Sequence, residues 1–215
     1  MAIKPILFNT DMVRSILDGR KTVTRRICKD ANELTVPDMG FYDAEKRTYA
    51  VHNFADKDHT DKLSTAERTC PICPGDILYV RETWHKYKKR VGKGEGCHIA
   101  ELYGYRVSIA NSEDANEPWR PSIHMPKEAA RIWLRVKDVR VERLQEITWQ
   151  QAAKEGCQGS TSDEPDPLFH LPTLRGEFQK LWNSTIKKSD LDRYGWDANP
   201  YVWVIEFETC EKPEG

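Results

Sequence analysis

Short apolar runs set in long polar stretches give this chain its outline. Pro5–Phe8 reads as a short strand. Thr10 reads as a helix N-cap, with Asp11 in the first turn, Met12, Ile16 and Leu17 on one face, and Gly19 as the stop. Thr22–Cys28 reads as a strand, and residues 29 to about 70 as a polar excursion with one hairpin around Phe41 and Tyr49. After the Pro74-Gly75-Asp76 turn, Ile77–Val80 is a strand, and Cys97–Val107 is another, interrupted by Gly104. Asn111–Pro118 is a polar linker and Pro126–Ala130 a helical turn. A long strand follows from Ile132 to Leu144; its apolar phase changes between Val136 and Val139, which predicts a bulge at Lys137-Asp138. Thr148-Trp149-Gln150-Gln151 fits a capping box, so a helix runs to Glu155 and stops at Gly156. Residues 157–172 read as a loop, Leu174, Phe178, Leu181 and Trp182 recur at helical spacing, and Tyr201–Phe207 alternates as a closing strand. Trp133, Trp182 and Trp203 fall in apolar patterns and are core candidates. Strands with helices interspersed singly predict an α+β domain around a curved or closed sheet.

Composition narrows the classes. The 215 residues carry a net charge of -1, 31% are charged, and the mean hydropathy is -0.71. One domain is the expectation. No apolar run approaches the ~20 residues of a membrane span, and the opening residues lack a charged-then-apolar leader. A soluble, cytoplasmic protein with no membrane partner is therefore expected. A near-neutral chain does not coat nucleic acid by bulk charge, but His85–Gly94 concentrates cations, Lys88 and Lys89 among them. That stretch reads either as a solvated hairpin loop or as a phosphate-tracking loop beside a base pocket. The six cysteines predict no disulfide framework. Cys70-Pro71-Ile72-Cys73 has metal-like spacing, with His52, His59, Cys97 and His98 as further ligand candidates. No second CxxC pair follows, so a tight turn is favoured and no metal or cofactor is expected.

The densest chemistry lies in Gly19–Arg26, where Arg20, Lys21, Arg25 and Arg26 accompany Thr22 and Thr24. Such donors suit an anionic or amide-bearing ligand. Period two puts Thr22, Thr24 and Arg26 on one face, toward a cleft or solvent, with Val23, Arg25 and Ile27 opposite. Lys21 is out of phase with Thr24 unless Gly19-Arg20 form an irregular turn. The competing reading is a solvated basic strand edge. A second candidate is Trp119–Pro126, where stiffening prolines present Trp119, Arg120, Ser122 and His124 to a base. There the plainer alternative has Trp119 capping the core and His124 bonding a carbonyl. Arg81 and Glu82 read as an ion pair across the sheet. No Gly-rich phosphate loop and no Ser-His-Asp order stand out.

Ile16–Arg26 resembles the signature of the ASCH domain family. Lys4–Thr10, Pro74–Trp84, Trp119–Pro126 and Ile147–Gly156 resemble, in order, segments of larger ASCH proteins of phage and prophage type. The resemblance implies a PUA-like curved β-barrel with interspersed short helices, a single domain over 1–215 with insertions near 29–70, 85–118 and 157–172. It implies recognition of a nucleobase or nucleotide, with a nucleoside, RNA or modified nucleic acid as partner. Family members that remove the acetyl group from N(4)-acetylcytidine use a Lys, a Thr and a Glu without metal. By motif position these fall on Lys21 and Thr24, and by the shorter Ile147-Thr148 alignment on Glu155. A lysine near cations and partly desolvated suits the base, and a carboxyl at a helix C-terminus is pushed toward its protonated form. Arg20, Arg25, Arg26, Arg81, Trp119, Arg120, Ser122, His124, Lys88 and Lys89 are the binding candidates. The alternatives are a non-catalytic RNA- or modified-DNA-binding module and a ribonuclease.

Overall fold

The computed structural model describes residues 1–29, 36–43, 45–55, 57–58, 60–69, 71–108, 118–161 and 172–214. The linker expected at Asn111–Pro118 lies outside the described residues except for Pro118, as do residues 162–171, His59 and Cys70. The described strands are β1 (Ile3–Leu7), β2 (Val23–Ile27), β3 (Val36–Asp43), β4 (Thr48–Phe54), β5 (Lys62–Thr69), β6 (Ile77–Arg81), β7 (Trp84–Val91), β8 (His98–Tyr105), β9 (Trp133–Arg143) and β10 (Tyr201–Cys210). The α-helices are α1 (Thr10–Leu17), α2 (Trp149–Lys154), α3 (Leu174–Thr185) and α4 (Leu191–Tyr194). The chain is thus mixed α+β, with most of its strands in several sheets and a few short helices. It divides into two compact units, one of Met1–Gly19, Asp76–Arg135 and Thr209–Gly215, the other of Arg20–Gly75 and Val136–Glu208.

In the first unit β1 pairs parallel with β6, Ile3 facing Ile77, and β6 pairs antiparallel with the start of β9, Tyr79 facing Trp133. The fully buried Asp76 carboxylate accepts from Ala2 N at 2.9 Å and Lys4 Nζ at 3.0 Å, tying the chain start to β6. Ile77, Tyr79, Trp84, Met125, Ala129, Ala130 and Trp133 form its core. Helix α1 begins one residue earlier than the sequence suggests: Asn9, not Thr10, is the N-cap, accepting from Met12 N at 2.8 Å. Gly19 ends it at φ 72°, a conformation that favours glycine. The stretch from His85 is a strand rather than a loop, β7, paired antiparallel with β8 from Trp84↔Tyr105 to Val91↔His98. Lysines on both faces of β7 erase the alternation that normally reveals a strand.

In the second unit β2 pairs antiparallel with β10, Thr24 facing Ile205 and Arg26 facing Trp203. The hairpin expected around Phe41 and Tyr49 is the β3–β4 pair, extended by β5. Tyr49 Oη donates to Val139 O at 2.9 Å. Val136 and Val139 are both buried with Lys137 and Asp138 exposed between them, the shift of phase that the pattern predicts. The α2 capping box forms as read: Thr148 Oγ1 accepts from Gln151 N at 3.3 Å and Gln151 Oε1 from Thr148 N at 3.0 Å. Gly156 closes the helix at φ 93°. Val23, Leu144, Ile147, Ala152, Leu174, Phe178, Trp182, Val202 and Val204 pack together beneath α2 and α3.

Because the capping box fixes where α2 begins, Thr148→Ala is expected to cost about 1 kcal/mol. The readout is a lower urea midpoint at unchanged slope, with Thr148→Ser close to wild type.

Candidate active site

The site is built where the end of α2 meets the start of β2. Thr22 N donates to Lys154 O at 2.9 Å, and Thr22 O accepts from Phe207 N at 2.9 Å. Ala152 of α2 is fully buried, and Glu155, three residues on, shares its face. The Glu155 carboxylate is therefore turned inward and only 3% exposed, not the solvated helix-end group that its position suggests. Lys21 leaves the Gly19-Arg20 turn and folds against it, 2% exposed. Its Nζ donates to Glu155 Oε2 at 2.6 Å, Glu155 O at 2.9 Å and Val23 O at 2.8 Å. One ammonium thus pairs the carboxylate and satisfies a carbonyl at the helix C-terminus, where the dipole favours a cation.

Arg25 takes the other Glu155 oxygen, Nη1 to Oε1 at 3.1 Å, and its Nη2 reaches Glu142 Oε2 at 3.3 Å and Gln151 Oε1 at 3.2 Å. Its guanidinium lies 5.7 Å from the Phe178 ring centroid. Glu142 in turn accepts from Arg140 Nε at 2.5 Å, and Arg140 Nη1 reaches Glu206 Oε1 at 2.6 Å. Thr24 has no exposed surface, and its Oγ1 accepts from Arg26 Nη1 at 3.0 Å. Arg20 Nη1 donates to Gly156 O at 2.9 Å. The expectation that Thr24 faces a cleft fails: Val23, Thr24 and Arg25 are all buried, because both faces of β2 are covered. The Lys21 phase problem resolves through the turn, since Nζ bonds the peptide that leads into Thr24.

Burial lowers the pKa of Lys21 from the ordinary lysine value, with Glu155 working against it. Burial likewise lowers that of Arg26. The Cys157 thiol is pushed up to about 12, by burial and then by Glu155, so it is protonated near neutral pH.

The remaining candidates lie in the other unit. Arg81 Nη1 donates to Ile123 O at 3.1 Å, and Nη2 to Tyr79 Oη at 3.4 Å. The expected Arg81–Glu82 pair does not form; Arg131 holds Glu82 at 2.8 Å and 3.0 Å, because neighbours along an extended chain point opposite ways. Arg120 bonds the Trp84 backbone in both directions, and Trp119 lies against His85, ring centroids 4.6 Å apart. Ser122 and His124 sit in a short 3₁₀ turn with His124 exposed, and Lys88 and Lys89 are exposed on β7.

Glu142, Arg140 and Glu206 belong to the Glu155 network but carry no motif, and Gln151 was marked only as the capping residue of α2. For Arg140 and Glu142 the signal was the Asp138-Arg140-Glu142 alternation, which puts a row of opposite charges on one strand face. Among the metal candidates, His52 Nδ1 meets Thr65 Oγ1 at 2.9 Å and His98 Nδ1 meets Gly96 O at 3.1 Å. No group of three or more His, Cys, Asp or Glu among the described residues could hold a metal ion. No family model, curated protein or solved structure matches the chain.

Glu155→Gln leaves two buried cations without their shared anion and is expected to cost about 3–5 kcal/mol. A second outcome concerns pH. Between the lowered Lys21 pKa and the ordinary value of 10.5, the unfolded chain binds a proton that the folded chain does not. Wild-type stability should therefore climb with pH through that window. Lys21→Met removes this contribution, so the difference in urea midpoint between the two proteins should change across the same window and be flat below it.

Proposed function

We propose that the chain is an ASCH-type protein, PUA-like in its curved sheet, that hydrolyses the exocyclic amide of an N-acylated cytosine nucleoside of the N(4)-acetylcytidine kind. The observation that carries the reading is the buried Lys21–Glu155 pair at 2.6 Å, whose ammonium also holds the Val23 carbonyl that leads into Thr24. Residues 134 positions apart are joined out of water, at a desolvation cost of several kcal/mol per ion. All three residue types that the resemblance assigns to catalysis are among the buried polar groups.

In this reading Lys21, its pKa lowered by burial, takes the proton from Thr24 Oγ1. The alkoxide adds to the acyl carbon, and the Arg26 guanidinium, which already contacts Oγ1, supports the developing charge. A proton delivered through Lys21 and Glu155 to the exocyclic nitrogen lets the C–N bond break and the amine leave. Water then attacks the acyl-threonine, releasing acetate and restoring the hydroxyl. Arg25 holds Glu155 in place from its other oxygen. A second reading, a binding module without turnover, is favoured by one observation: Thr24 is fully enclosed and three acceptors already surround the Lys21 ammonium.

The purified chain should release acetate from N(4)-acetylcytidine without added metal. Thr24→Ala should abolish turnover, whereas Thr24→Ser, which keeps a hydroxyl, should retain part of it. Glu155→Gln should lower kcat by about 100-fold or more, beyond its effect on stability. The rate should rise with pH until Lys21 is neutral, reaching its plateau below the ordinary lysine range. Binding of cytidine derivatives without acetate release would establish the module instead.

A further inference from the structure

We propose that Gln151 is a positioning residue for the Lys21–Glu155 pair: a neutral acceptor that directs Arg25 onto Glu155 without adding a charge of its own. The inference rests on the hydrolysis reading above and names the residue that tunes its base.

Gln151 does two things with one oxygen. Its Oε1 accepts from Thr148 N at 3.0 Å, which closes the α2 capping box, and from Arg25 Nη2 at 3.2 Å. The second bond is no part of the box and joins the start of α2 to β2. Gln151 stands one turn before Glu155, so the two side chains share a helix face, and Arg25 spans them. The Arg25 side chain is fully buried, with Nη1 on Glu155 Oε1 at 3.1 Å and Nη2 also on Glu142 Oε2 at 3.3 Å. A planar guanidinium held by Nη2 at Gln151 and Glu142 has its other Nη fixed in direction, and Glu155 lies there.

The identity of residue 151 carries the argument. A capping box takes glutamate or glutamine at this position, and the positive end of the helix dipole favours the acid. The cap alone therefore does not call for glutamine. Arg25 does, because it already meets two carboxylates, Glu142 and Glu155. A third would compete with Glu155 for the same cation and bring negative charge toward Lys21. Facing the Lys21 ammonium are Glu155 from α2, Arg26 from β2 and the Cys157 thiol past the helix end. Behind them stand Arg25 from β2, Glu142 and Arg140 from β9, Glu206 from β10, and Glu177 from α3, which acts on Cys157. An anion at position 151 strengthens the hold of Lys21 on its proton, since it draws Arg25 from Glu155 and adds charge of the attracting sign.

The test is the pH dependence of acetate release from N(4)-acetylcytidine by the full chain. Gln151→Glu keeps the capping box. It should move the rising limb of the profile up by about one pH unit, lowering the rate on that limb about tenfold, with the plateau recovered at higher pH. Glu142→Gln takes an anion away from Arg25 and should move the limb the other way. Thr148→Ala weakens the cap but leaves both bonds to Gln151 Oε1, so it should lower the urea midpoint and leave the limb in place. A Gln151→Glu limb at the wild-type pH, or an equal shift in Thr148→Ala, would overturn the proposal.

The same effect is readable without turnover. Burial lowers the folded-state pKa of Lys21, so the rise of stability with pH that Lys21→Met removes starts below the ordinary value of 10.5. In the Gln151→Glu background that rise in urea midpoint should start about one pH unit higher, because a raised folded pKa shortens the window. A chain that releases no acetate yet shows this delay loses the hydrolysis reading and keeps Gln151 as the residue that tunes Lys21. A chain that releases acetate with neither shift keeps hydrolysis and loses the role of Gln151.

Discussion

A single buried ion pair organises the described part of the second unit. Lys21 and Glu155 come from the start of β2 and the end of α2, and they meet where a helix C-terminus needs a cation. The pair is extended by Arg25, Glu142 and Arg140 into a chain of alternating charge that passes from α2 through β2 to β9. Each member limits the cost of its neighbour: Glu155 has a cation on each oxygen, and Arg25 has three acceptors. Removing charges from water is unfavourable unless geometry and further hydrogen bonds repay it. The apolar cluster of Val23, Ala152 and Phe178 packs beside these charges and keeps water from them. Burial thus lowers the Lys21 pKa even though an anion touches its ammonium.

The two units carry unlike chemistry. In one, every charged group of the Lys21 network has a named partner, and Arg26 alone of the surrounding cations is shown on the Thr24 hydroxyl. In the other, a ribbon holds His85 between the tilted rings of Tyr87 and Trp119, and among the described residues its ring nitrogens have no hydrogen-bond partner. The first arrangement orients groups that act on one another at short range.

Much of the local structure was legible along the chain because it depends on neighbours in sequence. The capping box at Thr148 and Gln151 and the glycine stops at 19 and 156 are interactions over a few residues, and the strand read at Tyr201–Phe207 forms, although Val202 to Ile205 are all buried rather than alternating. The Asn9 cap was one position off, since Asn9 and Thr10 both offer an oxygen and only the backbone angles choose between them. Strand β7 was ambiguous because its lysines removed the period-two signal, and Gly104 read as an interruption although it is the seat of the His85 ring.

The sequence by itself determined the helices and strands around the site, and it marked Lys21, Thr24 and Glu155 through the resemblance of short segments. What it did not determine was burial. Period two assigned Thr24 to an open face, yet a strand covered on both sides has no open face. Glu155 was marked by a short alignment that says nothing of its exposure, yet its position one turn past Ala152 turns it inward once α2 packs. Glu142, Arg140 and Glu206 join the network only because β9 and β10 bring them there. Tertiary structure decided these points because desolvation and pairing depend on what surrounds a group in space, and those surroundings come from residues more than a hundred positions away.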